Sequence, residues 1–292
     1  MYKKMLVPLD GSKLAEVVFP YAKELAISLN LELILLHVSR HENSKLLPTY
    51  RTYVDHLHEV FRNQSAQIKI DMAVGHPAEE IISYAEKNQI DLILLSTHGR
   101  SGIRSWPLGG IADKVLRISK IPIWLVRAET TEEPIYDKWP TRTILVPLDG
   151  SKLAESALPH VEVLAKQYNR EPSDVVLLRV CELPAVTADY PFPDWEEHLK
   201  RVTDWLRQES QRYLDEIGKR LTSAGLKVRT EILMGKPSEE IIKYATKNHF
   251  SLIVMTTHKH SGLGNWAFGY IAEWVLYGVK APLLLVKGVE YK

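Results

Sequence analysis

The sequence predicts an α/β protein made of two tandem doubly wound five-stranded parallel sheets with helices on both faces. Three observations carry that expectation. The stretch Leu6-Val-Pro-Leu-Asp-Gly-Ser-Lys-Leu-Ala-Glu16 returns unchanged as Leu145–Glu155. Later blocks return as well: Gly75-His-Pro-Ala-Glu-Glu-Ile-Ile as Gly235-Lys-Pro-Ser-Glu-Glu-Ile-Ile, and Ile111-Ala-Asp-Lys-Val-Leu as Ile271-Ala-Glu-Trp-Val-Leu. Within each copy, short apolar runs alternate with helical periodicity, the pattern of a parallel sheet covered on both sides. Units of this size are a tandem duplication rather than a solenoid, whose repeats run about 20–50 residues. Right-handed crossovers then favour a doubly wound layer structure.

The elements follow in order. Met5–Pro8 is a short apolar strand, and Asp10-Gly-Ser12 is turn chemistry with Ser12 opening a helix. Leu14 to Leu29 carries apolar residues at helical spacing, with Pro20 expected to kink it, as Pro159 should in the second copy. Leu31–Val38 is a continuous apolar run, the mark of a strand buried on both faces. A loop spans 39–48, and a polar helix is expected from Thr49 to about Gln67 on the stripe Val54, Leu57, Val60 and Phe61. Ile68–Val74 alternates as a strand. Pro77 and the acids behind it start a helix, where a proline and negative charge both suit the first turn. Leu92–Leu95 is another buried strand, 96–108 a loop, Gly109–Ser119 a helix and Ile121–Arg127 a last strand. The domains are therefore expected at 1–128 and 143–292, joined by a charged, proline-bearing linker over 129–142. The distance from the first conserved block to the second is 21 residues longer in the second copy (Leu145 to Gly235 against Leu6 to Gly75). The excess falls around 183–211, an aromatic and proline-rich insert leading into a long helix from about Trp195 to Ala224. That insert is either a lid or docking surface, or a segment packed across its own domain.

Bulk composition excludes several classes. The 292 residues carry 37 basic and 36 acidic side chains, which gives no electrostatic footprint for nucleic acid or an anionic membrane. Cys181 is the single cysteine, so there is neither a disulfide framework nor a cysteine-based metal site, and its apolar setting reads as a buried small hydrophobe. No apolar run approaches the roughly 20 residues that span a bilayer. The N-terminus turns polar before a signal-peptide core develops. The expectation is a soluble, cytoplasmic protein.

In an open parallel sheet, ligands bind beyond the carboxyl ends of the strands, where strand order reverses. Three stretches converge there: Pro8-Leu-Asp10-Gly-Ser12, Val38, and Ser96-Thr-His-Gly99-Arg100 through Gly109-Gly110. Asp10 is a side-chain acceptor suited to a ribose or adenine edge. The glycine-bearing loop running into a helix start offers bare backbone N–H groups, a recurrent phosphate cradle. The Gly-x-x-x-x-Gly-Lys-[Ser/Thr] pattern is missing, so the chain is no P-loop NTPase.

Val-Pro-Leu-Asp-Gly-Ser after the first strand, Leu-Leu-His37-Val38 at the second, Gly-x-Pro-x-Glu-x-Ile, and Ser-Thr-His-Gly-Arg-Ser-Gly together resemble the universal stress protein family, over essentially all of both halves. The resemblance implies strand order 3-2-1-4-5. It also implies dimers through the last strand, a pairing that the two halves would make with each other, by a homodimer, or both. It implies ATP, with or without Mg2+, held by Gly-x2-Gly-x9-Gly-[Ser/Thr]. In the first half that motif falls on Ser96, Gly99, Gly109 and Gly110, with Pro8, Asp10, Val38, Arg100 and Ile111 beside it. Serine stands for the first glycine and glycine for the final hydroxyl residue, yet the backbone donors survive. In the second half it falls on Thr256, Lys259, Gly269 and Tyr270, with Pro147, Asp149 and Val180 beside it. Lys259 puts a side chain where backbone has to come close, and Tyr270 puts a ring at the phosphate helix, so that weaker site is expected to be degenerate.

Other candidates carry less. His98 and His258 recur beside the loop and suit loop orientation rather than catalysis. His56 and His58 sit two apart on a helix and face different ways, and His258 and His260 have no neighbouring carboxylate or cysteine, so no metal site is expected. Arg100 and Arg104 are either phosphate contacts or solvated charges, while Trp106 and Trp266 are packing residues. With no nucleophile–base–acid set in view, the expected function is a non-catalytic, ATP-binding stress-response protein, the nucleotide acting as a conformational ligand in the first half. The alternatives are a nucleotide-free interaction module and, by fold analogy alone, slow ATP hydrolysis.

Overall fold

The computed structural model describes residues 2–40, 48–62, 66–100, 108–128, 143–167, 173–183, 194–257 and 269–288. The expected linker, residues 184–193 of the insert and the loop positions Arg104, Trp106, His258, Lys259, His260 and Trp266 lie outside the described residues. The first repeat runs β1 (Lys4–Leu9), α1 (Lys13–Glu16), α2 (Phe19–Ser28), β2 (Glu32–Ser39), α3 (Pro48–Val60), β3 (Ile68–Val74), α4 (Pro77–Lys87), β4 (Leu92–Ser96), α5 (Gly110–Ile118) and β5 (Ile123–Val126). The second runs β6 (Thr143–Pro147), α6 (Lys152–Glu155), α7 (Leu158–Gln167), β7 (Asp174–Cys181), α8 (Trp195–Ser223), β8 (Lys227–Met234), α9 (Pro237–Asn248), β9 (Leu252–Thr257), α10 (Tyr270–Gly278) and β10 (Leu283–Lys287).

By packing, the chain forms two compact units, Met1–Pro140 with Ala281–Lys287, and Thr141–Lys280 with Gly288–Lys292. In the first unit the strands lie in the order β3-β2-β1-β4-β5, and these pairs are parallel. The second unit repeats the first four places of that order as β8-β7-β6-β9, again parallel. The strand that completes the sequence repeat, β10, packs in the first unit, antiparallel to β5 with Leu283 opposite Leu125. Its pairing satisfies backbone groups that an edge at β5 would leave open. Register shows how closely the repeats correspond: Pro8 lies opposite Leu36 and Pro147 opposite Leu178.

The apolar runs become the central strands because both of their faces are covered. Leu6, Leu33, Leu35 and Leu92 are fully buried, as are Leu145, Leu177 and Ile253. Burial of each such side chain contributes about 1.5–3 kcal/mol. Ser12 caps α1 by accepting from the Ala15 N–H at 3.2 Å, and Ser151 caps α6 by accepting from Ala154 at 3.0 Å.

Two helices differ from the sequence expectation. The kinked helix expected over 14–29 is two helices broken at Val17–Val18, and Pro20 falls in the first turn of the second. A missing N–H costs nothing there, because first-turn donors have no partner inside the helix. The helix expected to reach Gln67 ends at Val60. Its last apolar anchor is Phe61, edge-on to Phe19 at 5.2 Å between ring centroids, and residues 62–67 bring nothing apolar but Ala66 to bury. The long helix after the insert starts and ends within a residue of its expected bounds. Cys181 is buried, as its apolar setting suggested, with its Sγ 3.0 Å from Ser210 Oγ.

His160 on α7 gives the fold a pH dependence. It is 8% exposed, and desolvation by burial holds its imidazole at about 4 against an ordinary 6.5. The folded state thus binds fewer protons than the unfolded state, and this contribution is fully present above pH 6.5. It is lost as pH falls from there toward 4. Between pH 7 and pH 5 the wild type should lose about 2 kcal/mol more stability than His160→Gln in parallel urea titrations. Equal losses would show that the buried imidazole is not the titrating group.

Candidate functional site

The order β2-β1-β4 places the reversal of strand order between β1 and β4, so their carboxyl ends open a crevice. β1 enters it through the Asp10-Gly11-Ser12 turn. Gly11 has φ +81° and its counterpart Gly150 φ +89°, a conformation that side chains rarely adopt, which explains why the turn sequence repeats unchanged.

Asp10 ties the turn to the loop that follows β4. Its Oδ1 accepts from Ser12 N at 3.0 Å and from Ser12 Oγ at 2.6 Å. Its Oδ2 accepts from the backbone N–H of Arg100, and the Arg100 guanidinium donates back to Asp10 O at 3.0 Å. Gly99 is what permits that approach: a Cβ there would lie 2.1 Å from Asp10 Oδ2. Arg100 thus holds the aspartate turn through its backbone and one guanidinium nitrogen, and it also lines the cleft.

The base of the loop is fastened by buried hydroxyls. Ser96 Oγ lies 2.7 Å from Leu14 O and 2.9 Å from His98 O, and its single proton serves one carbonyl at a time. Thr97 Oγ1 accepts from Ala128 N at 3.0 Å and sits 3.1 Å from His98 Nδ1. Thr97 and His98 are both largely buried and their hydroxyl–imidazole contact braces the loop where it borders the cleft.

All nine residues expected in the first half (Pro8, Asp10, Val38, Ser96, Gly99, Arg100, Gly109, Gly110 and Ile111) line one cleft of about 700 Å³. Its size lies within the range of small-molecule sites. Gly109 caps α5 without a side chain and donates its own N–H to Thr97 O at 2.7 Å. The first N–H groups of α5 have no partner within the helix, leaving a donor-rich end with partial positive charge beside the cleft. Three cations also line it: Arg40, Arg100 and Lys114.

Sequence reasoning missed Arg40 and Lys114, and it missed Tyr53. Tyr53 and Tyr213 stand at matching places on α3 and α8. Burial first, then the carboxylates of Glu16 and Asp10, push the Tyr53 phenol up; burial and then Glu155 and Asp149 do the same for Tyr213. Both stay protonated beside an aspartate turn. Recurrence of tyrosine at the offset of the later blocks was the signal that could have found them. His56 Nε2 lies 3.2 Å from Glu16 Oε1, at ion-pair separation without hydrogen-bond alignment. Among the described residues no group of three or more side chains is arranged to hold a metal ion.

The second repeat has its own cleft of about 400 Å³, lined by Pro147, Asp149, Val180, Thr256 and Gly269 of the expected set; Lys259 lies outside the described residues. Asp149 Oδ1 accepts from Ser151 N at 2.8 Å, repeating the turn of the first repeat.

Comparison with known proteins agrees with the fold and the duplication. The model of the universal stress protein family matches residues 1–127 and again 140–287. A universal stress protein of Methanocaldococcus jannaschii is 31% identical over 146 residues, 50% of this chain and 82% of that protein. One of Bacillus subtilis is 31% identical over 150 residues, 44% of this chain and all of that protein. The crystal structure of a universal stress protein from Archaeoglobus fulgidus is similar in fold, with TM-score 0.68 at 17% identity over 98% of this chain and 97% of that one. The chain belongs to the universal stress protein family.

Ser96 departs from the glycine of the binding motif, and the geometry says what the hydroxyl does. Ser96→Gly matches that glycine but removes the hydroxyl that serves Leu14 O or His98 O, so it should destabilise the protein by about 1–2 kcal/mol in urea titration. No change in stability would mean that those carbonyls find other donors.

Proposed function

We propose that the first repeat binds ATP as a conformational ligand that is held rather than turned over, and that the protein acts in this way in a stress response. The observation that carries the reading is the joining of an acceptor, an open helix end and cations in one cleft. Asp10 stands at its floor, the α5 N-terminus beside it, and Arg40, Arg100 and Lys114 supply positive charge. Helix N-termini and guanidinium groups are the usual partners of phosphate oxygens. A carboxylate oxygen suits a ribose hydroxyl. A magnesium ion would enter as the counter-ion of the phosphates, with Asp10 and Glu79 the carboxylates that line the cleft. Binding to the folded state alone would stabilise it by mass action, which is all that a conformational ligand requires.

The alternative, a docking module without nucleotide, draws on the exposed aromatics of the second repeat: Trp205 is 60% exposed and Tyr270 65%. The two readings part on one titration. Asp10→Ala should weaken ATP binding at least tenfold by calorimetry, and Gly109→Val should do the same, because even a Cβ there comes within 3.3 Å of Thr97 O. Asp149→Ala, in the other repeat, should leave the ATP stoichiometry at one per chain. Equal effects of the two aspartate variants would overturn the asymmetry, and no uptake by the wild type would favour the docking module.

A further inference from the structure

The turn that carries Asp10 is held from two directions. The loop after β4 reaches it through Arg100, and α3 reaches it through Tyr53 and His56, which do not line the cleft. Tyr53 is the centre of this second contact. The Glu16 and Asp10 carboxylates and the Gly11 N–H all bear on its hydroxyl, whose oxygen is buried and short of full hydrogen-bond alignment. Its ring packs against two imidazoles, edge-on to His37 at 6.3 Å between centroids and stacked with His56 at 6.1 Å. Each imidazole leads back to the same turn. A carbonyl can only accept, so His37 Nδ1 carries the proton that it gives to Leu9 O at 3.0 Å, one residue before Asp10. His56 Nε2 lies 3.2 Å from Glu16 Oε1, at the end of the short helix that the turn opens into.

Little else fastens α3. Leu57 alone of its 13 residues is buried, and just beyond the helix Phe61 meets Phe19. An amphipathic helix draws most of its stability from the face that it packs, and regions with few buried apolar contacts are the ones that open first. The second repeat is built differently. There α8 carries Tyr213 at the matching place, beside Glu155 and Asp149, yet it also buries Ser210, Leu214, Ile217, Gly218 and Leu221. The strand residue beside the phenol has changed as well. Arg179, in the place of His37, lies over the Tyr213 ring at 5.3 Å. It also sits so close to Gly150 that a Cβ there would come within 2.5 Å of its Nη1. Its own core contacts anchor α8, whereas α3 is anchored in good part by the Asp10 turn.

We propose that Tyr53 is a positioning residue for the first cleft, holding the Asp10 turn from behind, and that α3 thereby registers whether the cleft is occupied. The inference rests on reading that cleft as the ATP site, and it names the element on which ATP acts as a conformational ligand. Coupling between two sites is reciprocal. If the phenol steadies the turn for the ligand, the ligand steadies the turn for the phenol, and α3 with it. A ligand that favoured no state of the turn would shift nothing in α3.

The test uses the full chain, with ATP as the probe, and combines calorimetry with hydrogen exchange read by mass spectrometry. Saturating ATP should slow amide exchange across α3 in the wild type. Tyr53→Phe keeps the ring and loses only the hydroxyl. It should weaken ATP binding about fivefold, the worth of one modest hydrogen bond, and at saturation its α3 should exchange as fast as it does without ATP. Tyr213→Phe, in the other repeat, should leave both readouts at wild-type values. Unchanged ATP affinity in Tyr53→Phe would overturn the inference, as would protection of α3 that survives that substitution or is lost equally in Tyr213→Phe. Uptake of ATP by the wild type with no change in α3 exchange would overturn this inference alone, and no uptake at all would overturn the reading of the cleft with it.

Discussion

The carboxylate of Asp10 is the point on which the first cleft depends. One oxygen closes the turn after β1 through Ser12, and the other holds the backbone of the loop after β4 at Arg100. Strands β1 and β4 are neighbours in the sheet, and this carboxylate, with the Arg100 guanidinium on Asp10 O and Ser96 Oγ on Leu14 O, fixes how the segments beyond their ends meet. Gly99 follows as a necessity, since any side chain there would collide with the oxygen that the loop is bound to. The hydroxyls of Ser96 and Thr97 then secure the base of the same loop against Leu14 and Ala128. The cleft is thus assembled from the sheet outward, with its lining on segments whose positions are set by hydrogen bonds that are buried at Ser96 and Thr97 and exposed at Arg100, the buried ones being the costlier to break.

Much of this was legible in the sequence, and the reasons are specific. The continuous apolar run Leu31–Val38 could only be a strand covered on both faces, and the exact return of the Asp-Gly-Ser turn marked the positions where two copies share a conformation. All nine residues expected around the first cleft line it. What was not legible depends on long-range contact. Spacing alone did not show that Arg100 would face Asp10, because the two are 90 residues apart and meet through a backbone N–H that has no sequence signature. No motif spacing singled out Arg40 or Lys114, whose place at the cleft follows from the fold. Pro20 was misread as a kink for a related reason: a proline inside an apolar periodicity looks the same whether it bends one helix or opens a second, and only the break at Val17–Val18 separates the cases.

Duplication supplies a comparison that a single domain would lack. Both repeats keep the aspartate turn, the serine cap and a half-buried tyrosine near them. They differ at flanking positions, Arg40 against Glu182 and Lys114 against Trp274, and in cleft volume, about 700 Å³ against about 400 Å³.

The adenine nucleotide content of the purified, untreated protein, released by heat and counted per chain, tests the central claim most directly. The account predicts about one ATP per chain, carried by the cleft at Asp10. Protein free of nucleotide whose melting temperature does not move on adding ATP would contradict it.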